Sequence, residues 1–281
     1  MTVAMTTGPH RVLWVFAHPD PRSLSASLRD AGVARLRADG HEVEVSDLYA
    51  MGWKATLDHD DIGELRDPAP QLSRATKQAY QAGTLAADIR AEQEKLLTAD
   101  VVVLQFPLWW YSVPAILKGW IDRVFAKGFA YGIADPAHPG RTFRYGDGPL
   151  SGRRAQVITS IGSPEPAMGP RGVNGQLDQV LFPLLHGTLF YVGMDVLPPL
   201  PIHGADRMSE HDHARAVAAV EQRMGELAAI EPIAYRHQNT GDYDDDLVLD
   251  PRLRPGEGGL HVHVAGTGSS VTGSCSERTG D

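Results

Sequence analysis

The feature that most constrains the fold is a strand followed by a helix, a unit that recurs five times along the chain. Its clearest strand is Val101–Phe106 (VVVLQF), which is apolar almost throughout, as is typical of a central strand covered on both faces. The following segment, Pro114–Phe125, places its apolar residues at helical spacing. Alternation of this kind requires right-handed crossovers. The sequence therefore predicts a doubly wound α/β fold with a five-stranded parallel sheet.

The remaining elements follow from the same periodicities. Strands are predicted at Arg11–Ala17, Glu42–Ser46, Ala155–Ile161 and Met194–Leu197, and helices at Ser23–Asp39, Leu85–Leu97, Asn174–Tyr191 and His211–Ile230. The stretches from Gly52 to Gly83 and from Lys127 to Gly152 are interpreted as irregular excursions, and after Tyr235 only Leu260–Ala265 is expected to be regular. The predicted organisation is a flexible N-terminus (1–10), one α/β domain (11–234), a mostly irregular C-terminal extension (235–265) and a flexible tail (266–281).

Composition excludes several classes of function. Lys and Arg total 26 against 35 Asp and Glu, and this net charge of −9 argues against a nucleic-acid surface. The single cysteine, Cys275, rules out an intrachain disulfide and a cysteine-based zinc site. No apolar run approaches the ~18–20 residues that span a bilayer, and the first ten residues do not resemble a signal peptide. A cytoplasmic protein without membrane insertion is expected.

A metal site is not predicted, although histidine pairs occur twice. His211 and His213 form one pair and His261 and His263 the other, and Asp242–Asp246 is rich in carboxylates. Each pair would need ligands from other segments to complete a tetrahedral site. The aspartate run is interpreted as a solvated turn.

Parallel sheets bind ligands beyond the carboxyl ends of their strands, so the loops after the first, third and fourth strands are the candidate site. The first loop, His18–Ser25 (HPDPRSLS), opens a helix, whose free N–H groups suit a phosphate. No glycine-rich dinucleotide or nucleotide motif is present. A hydroxyl-rich loop of this kind suits the phosphate of a flavin. The alternative, that Ser23 only caps the helix, stays open.

The other two loops add an aromatic wall and a close backbone approach. Trp109, Trp110 and Tyr111 follow the third strand, where a planar isoalloxazine ring would be a suitable partner. A core or dimer contact is the alternative for these aromatics. The fourth loop begins Thr159–Ser163 (TSIGS), in which Gly162 lets the backbone approach a ligand.

Several motifs resemble the NAD(P)H:quinone oxidoreductases of the DT-diaphorase family. They are Gln105–Phe125 (QFPLWWYSVPAILKGWIDRVF) with its continuation Gly128–Tyr131 (GFAY), His18 and Ser23 after the first strand, Ser46–Met51 (SDLYAM) and Ala91–Leu96 (AEQEKL). The resemblance implies a flavodoxin-like fold and a homodimer with two active sites at its interface. It also implies tightly bound FAD, as in the longer members, with FMN as the alternative, and NAD(P)H as co-substrate.

The resemblance also assigns roles by position. Pyrophosphate and adenine contacts are expected from His18, Ser23, Leu24 and Ser25; ring contacts from Pro107, Leu108, Trp109, Trp110, Tyr111, Ser160, Ile161, Gly162 and Ser163; and substrate contacts from Trp109, Met168, Asn174 and Tyr131 of the partner subunit.

The implied reaction is ping-pong hydride transfer from NAD(P)H through the flavin to a quinone or related acceptor. In mammalian members a tyrosine and a histidine relay a proton, and the matching positions here are Met168 and Asn174. Methionine relays no proton, and asparagine donates a hydrogen bond but is not a general acid or base. Asn174 is therefore the candidate catalytic residue of a site that lacks this relay. An alternative function is that of a soluble regulatory flavoprotein subunit of a potassium-efflux transporter.

Overall fold

The computed structural model describes residues 8–63 and 71–266. Its strands are β1 (Arg11–Phe16), β2 (Glu42–Asp47), β3 (Val101–Pro107), β4 (Arg154–Ile161), β5 (Asp195–Val196) and β6 (Leu200–His203). Its α-helices are α1 (Leu24–Ala38), α2 (Leu72–Ala82), α3 (Ala87–Thr98), α4 (Ala115–Val124), α5 (Leu177–Leu184) and α6 (Glu210–Gly225), and a π-helical segment, Leu185–Phe190, continues α5. No helix within these ranges is long and apolar enough to cross a membrane.

The sheet is parallel and has the order β2-β1-β3-β4-β5. Its fifth position holds two short strands, because β5 pairs with Arg154 and Ala155 at the start of β4, whereas β6 pairs with Ile158–Ile161 at its end. The predicted five-stranded flavodoxin-like architecture is therefore confirmed. The separate strand β6 was not predicted.

Side chains of β1 show how the sheet is covered on both faces. Leu13 and Val15 pack into the hydrophobic cluster that includes residues of α2 to α5. Trp14 and Phe16, which point the other way because side chains alternate along a strand, pack into the cluster of α1 and α6. These strand side chains are almost fully buried, so the sheet is the centre of two apolar layers.

Two predicted segments differ from the structure. The excursion from Gly52 to Gly83 contains helix α2, whose buried face consists of the small residues Ala75, Thr76 and Ala79 and therefore shows no run of large apolar side chains. The helix predicted at Asn174–Tyr191 starts only at Leu177 and changes to π-helical geometry after Pro183, which has no N–H group for the regular helical hydrogen bond.

The described part of the C-terminal extension is mostly irregular, as predicted. Its Leu260–Ala265 segment is neither an α-helix nor a strand but a 3₁₀-helix, Leu260–His263, followed by one bridge between Val264 and Tyr235. Of the predicted flexible termini, residues 1–7 and 267–281 lie outside the described ranges. His10 is buried and stacks on His41, with ring centroids 5.3 Å apart.

Candidate active site

The carboxyl ends of β1, β3, β4 and β6 bring four loops to one edge of the sheet. A cavity of about 340 Å³ opens between them, lined by Leu108, Trp110, Tyr111, Ile161, Gly162, Ser163, Met168, Asn174 and Asp206. A second cavity of about 480 Å³ lies where α1 and α6 begin, lined by Arg22, Ser23, Leu24, Ser27, Ala205, Asp206, Arg207, Met208, Ser209, Glu210 and His213. Asp206 lines both cavities, so they adjoin each other.

The loop after β3 forms a tight turn with an unusual sequence. Trp109 and Ser112 exchange two backbone hydrogen bonds of 3.0 and 3.1 Å, which leaves Trp110 and Tyr111 as the central turn residues. Both have positive φ, 51° and 60°, a combination that usually selects Asn-Gly. Trp110 is also 96% exposed. Strained backbone and exposed aromatic surface together are typical of a ligand site.

A short hydrogen-bond chain joins this turn to the loop after β4. The Tyr111 hydroxyl donates to Asn174 Oδ1 over 2.8 Å, and Asn174 Nδ2 donates to Ser163 Oγ over 2.9 Å. Met168 is buried beside them in the cavity wall. Asn174 is thus engaged at both ends of its amide, which fixes the Tyr111 ring relative to the backbone near Gly162.

Hydrogen bonds from Gln105 in the central strand, β3, hold the start of α1 in place. Gln105 Nε2 donates to the Ser25 carbonyl over 2.7 Å, and Gln105 Oε1 accepts from the Trp14 indole N–H over 2.9 Å. Ser25 Oγ lies 3.1 Å from Ser160 Oγ, which links the loops after β1 and β4. Hydrogen bonds from β3 and β4 therefore hold in place the turn that is predicted to bind phosphate.

The structure also shows what Ser23 and His18 do within the chain. Ser23 is the N-cap of α1, and its Oγ accepts from the Ala26 N–H over 3.1 Å. As the first two residues of the helix, Leu24 and Ser25 have N–H groups with no acceptor in the described part of the chain. His18 Nδ1 is 3.1 Å from the Asp20 nitrogen, which donates to it, and the His18 ring lies 6.1 Å from that of Trp109.

Sequence reasoning missed the loop after β6. Its Asp206 carboxylate lies so close to Gly162 that a Cβ there would be 2.2 Å from Oδ2. Ser27 Oγ and His213 Nε2, 2.8 Å apart, join α1 to α6 at the floor of the second cavity. The only sequence signal was the apolar pair Leu200 and Ile202, which three nearby prolines obscured.

Comparison with known proteins identifies the family. The flavodoxin-like fold family matches residues 10–227. The ribosyldihydronicotinamide dehydrogenase [quinone] of Homo sapiens is 41% identical over 225 residues, which are 79% of this chain and 94% of that protein. The chain belongs to the flavodoxin-like quinone dehydrogenases. The predicted resemblance to the NAD(P)H:quinone oxidoreductase family, and with it the prediction of an enzyme of that type, is confirmed at the level of the family.

Two further relatives bear on its length. NAD(P)H dehydrogenase [quinone] 1 of Cavia porcellus is 34% identical, and the match covers 80% of each chain. The crystal structure of a candidate quinone reductase from Klebsiella pneumoniae superposes with a TM-score of 0.88 at 48% identity, covering 91% of this chain and 100% of that one. The match to this solved structure therefore leaves only about a tenth of the chain without a counterpart.

Six of the residues expected at the quinone dehydrogenase site line neither cavity: His18, Ser25, Pro107, Trp109, Ser160 and Tyr131. The first five lie at the ends of β1, β3 and β4 or in the segments just after them, whereas Tyr131 lies away from these loops in the same chain. Tyr131 lines neither cavity; it forms a bridge with Lys127. Burial, with a smaller effect of Tyr191, raises the pKa of its hydroxyl above the ordinary value. Its assignment to the pocket of a partner subunit stays a prediction.

Both members of the second histidine pair have partners within the chain. His261 Nε2 lies 2.9 Å from Glu257 Oε2, and His263 Nδ1 lies 2.9 Å from the Tyr243 hydroxyl. Across residues 8–63 and 71–266, no three His, Cys, Asp or Glu side chains are grouped so that they could hold a metal ion.

Proposed function

We propose that this quinone dehydrogenase homologue is a flavin-dependent NAD(P)H:quinone oxidoreductase. The observation that carries the proposal is the strained, exposed turn of Trp110 and Tyr111, which opens a cavity at the carboxyl end of β3. In a member of this family, such an exposed aromatic turn is suited to contact a planar redox-active ring. Bound flavin would supply the chemistry, because it accepts a hydride from a dihydronicotinamide and passes it to an acceptor.

The donor groups fit a dinucleotide flavin. Trp110 and Tyr111 offer a wall for the ring, and Gly162 keeps the facing backbone free of a side chain. The N–H groups of Leu24 and Ser25, for which residues 8–63 and 71–266 offer no acceptor, suit a pyrophosphate. The adjoining cavity of about 480 Å³ leaves room for an adenosine, which favours FAD over FMN.

We assign the chain's residues to binding and orientation. His18, Ser23, Leu24 and Ser25 hold the phosphates. Pro107, Leu108, Trp109, Trp110, Tyr111, Ser160, Ile161, Gly162 and Ser163 enclose the ring. Asn174 holds Tyr111 in place through Oδ1 and offers its second Nδ2–H to the substrate, but neither it nor Met168 exchanges a proton near neutral pH. Water is then the proton source, so the reaction lacks the proton relay of mammalian relatives.

A second copy of the chain completes this site in our proposal. Val173, 95% exposed, precedes Asn174, and Trp110 is exposed to a similar extent. Covering these side chains in a homodimer removes apolar surface from water, and it would let Tyr131 of the partner subunit reach the substrate. A cytoplasmic location agrees with the single cysteine.

The test of function starts from purified protein, whose flavin is released and identified as FAD or FMN. NADH, NADPH and ribosyldihydronicotinamide are then compared as reductants in stopped flow, because relatives are named for both kinds of donor. We expect bound FAD, reduction by NAD(P)H, and ping-pong kinetics with a naphthoquinone. A protein that stays colourless after incubation with FAD and FMN would falsify the flavin site, and reduction by ribosyldihydronicotinamide alone would refute the choice of donor.

Exchanging Trp110 for glycine is expected to stabilise the fold slightly while it weakens flavin binding. A bulky residue with left-handed backbone geometry costs the folded state roughly 1–2 kcal/mol, and glycine removes this cost. Because glycine also gives the unfolded chain more conformational freedom, the free energy of unfolding should rise by at most about 1 kcal/mol. Little burial is lost, because Trp110 is 96% exposed. Flavin affinity should fall about tenfold with the lost stacking surface.

Urea unfolding of the flavin-free protein and flavin titration measure the two effects. Arg254→Gly is the matched control, because Arg254 also has positive φ, 60°, but lines neither cavity of the site. It should unfold at a similar or higher urea concentration than the unmodified protein and bind flavin unchanged. Equal flavin affinity of Trp110→Gly and Arg254→Gly would contradict the role of the turn.

A further inference from the structure

A third cavity, of about 360 Å³, lies between the π-helical segment and the C-terminal extension. It shares no lining residue with the two cavities of the active site. Its volume is within the range of ~300–1,000 Å³ that is usual for small-molecule sites. Nothing in the function proposed above uses it.

Backbone strain in the described residues is concentrated at these cavities. Five non-glycine residues have positive φ: Trp110, Tyr111, Tyr145, Leu247 and Arg254. The first two line the ring cavity, and Tyr145 and Leu247 line the third cavity. Strained residues persist where surrounding structure holds them, and they cluster at ligand sites. The third cavity therefore shares a backbone property with the active site, and among the other described residues only Arg254 has it.

The cavity also contains a buried histidine with unused hydrogen-bonding capacity. His186 is 8% exposed and stacks on Phe182 and Tyr145, with ring centroids 4.5 and 5.0 Å away. Its Nε2 is buried and has no hydrogen-bond partner in the described structure. Burial, with a smaller contribution from His263, lowers the pKa of His186 to about 4. The ring is therefore neutral near pH 7 and keeps one donor and one acceptor nitrogen.

A guanidinium without a carboxylate partner forms another part of the wall. Arg144 Nε donates to Gln238 Oε1 over 2.6 Å, and within residues 8–63 and 71–266 no Asp or Glu forms an ion pair with it. Arg236, which also lines the cavity, is different because its Nη1 pairs with Asp242 at 2.5 Å. Arg144 is thus the cation available to an anionic ligand, and its fork of N–H groups matches a carboxylate.

We propose that this cavity binds a small aromatic carboxylate. The ligand's ring lies among the side chains of Tyr145, Phe182 and Tyr243, its carboxylate pairs with Arg144, and a ring hydroxyl exchanges a hydrogen bond with His186. A single available guanidinium with aromatic walls favours a carboxylate over a phosphate, whose double charge usually requires more than one cation. The proposal does not depend on the identity of the flavin or of the electron donor.

The test is calorimetric titration of the intact holoprotein with 4-hydroxybenzoate, benzoate and the neutral 4-hydroxybenzyl alcohol. We expect one 4-hydroxybenzoate per chain, bound about tenfold or more tightly than the alcohol. Arg144→Gln should remove that difference and leave the alcohol's affinity unchanged. His186→Phe keeps the aromatic stack but removes the hydrogen bond to the ring hydroxyl. Its affinity for 4-hydroxybenzoate should fall to that for benzoate, and its affinity for benzoate should not change.

Arg252→Gln is the control, because Arg252 belongs to the same extension but is exposed and lines no part of this cavity. It should bind all three compounds like the unmodified protein. The flavin absorption spectrum, followed in the same titrations, should not change. The proposal is overturned if 4-hydroxybenzoate gives no binding at millimolar concentration, if Arg144→Gln binds it undiminished, or if the flavin spectrum shifts with binding.

Discussion

Exchange of Arg123 for glutamine is expected to lower the free energy of unfolding by about 3–5 kcal/mol, because it leaves a buried carboxylate without its cation. Arg123 lies in α4, and its Nη2 is 2.8 Å from carboxylate oxygens of both Asp61 and Asp88. Its guanidinium also lies 4.5 Å from the ring centroid of Trp53. The Arg123 and Asp61 side chains are each 1% exposed. Of the cations in the described part of the chain, Lys54 alone would remain beside Asp61.

The stability that Arg123→Gln loses should depend on pH. Burial by itself raises the pKa of Asp61, but hydrogen bonds from Arg123 and from the Asp58 N–H outweigh it and hold the pKa below its usual range. Ionised Asp61 therefore stabilises the fold above its unfolded-state pKa, and this contribution is lost as pH falls through the lower folded pKa. Without Arg123, burial raises the pKa of Asp61 in the folded state. The difference in the free energy of unfolding between the variant and the unmodified protein should therefore become smaller as pH falls towards about 4–5.

Urea unfolding across this pH range measures both effects. Lys118→Gln is the control, because the Lys118–Asp122 pair is exposed and should contribute less than about 1 kcal/mol. If the loss in Arg123→Gln is as small as that of the control, or is the same at every pH, the buried pair does not have the role assigned to it.

Replacing Gln105 by methionine is expected to lower the free energy of unfolding by about 2–4 kcal/mol, because two buried groups lose their partners. These are the Trp14 indole N–H, on a side chain with no exposed surface, and the Ser25 carbonyl. Since the Ser25 contact anchors the first turn of α1, flavin affinity should fall as well. Gln105 thus acts as a positioning residue behind the phosphate site.

The control for this variant is Gln179→Met, on the exposed side of α5. It should change neither stability nor flavin affinity appreciably. Flavin titration below the onset of unfolding separates the two effects of Gln105→Met. A variant that is destabilised but binds flavin normally would show that the Trp14 contact matters and that the Ser25 anchor does not.

The buried parts of the fold could be predicted from sequence because they carry strong periodic patterns. Val101–Phe106 was identified as a strand from its unbroken apolar run, and β3 includes it with one residue more. Helix α2 was missed because alanine and threonine form its buried face. Strand β6 was missed because Pro201 lies within it and two prolines precede it, and proline disfavours strands except at edges.

The same distinction applies to the site. Loops that follow well-defined strands could be assigned to one edge of the sheet, which predicts that Trp110, Tyr111 and Gly162 lie near one another, and the family resemblance adds Asn174 to them. Asp206 could not be assigned, because its loop follows the unpredicted strand. The hydrogen bond between Tyr111 and Asn174 joins residues 63 positions apart and has no local signature.

The division of the outer position of the sheet into β5 and β6 has a consequence for solubility. An unbroken edge strand offers a row of free N–H and C=O groups on which another molecule can add a strand. Here the outer edge is only two and four residues long in its two parts, with Pro198, Pro199 and Pro201 between and within them. The opposite edge, β2, presents exposed Glu42 and Glu44. Neither margin therefore favours amyloid-like growth at high protein concentration, and self-association is left to the faces of the molecule.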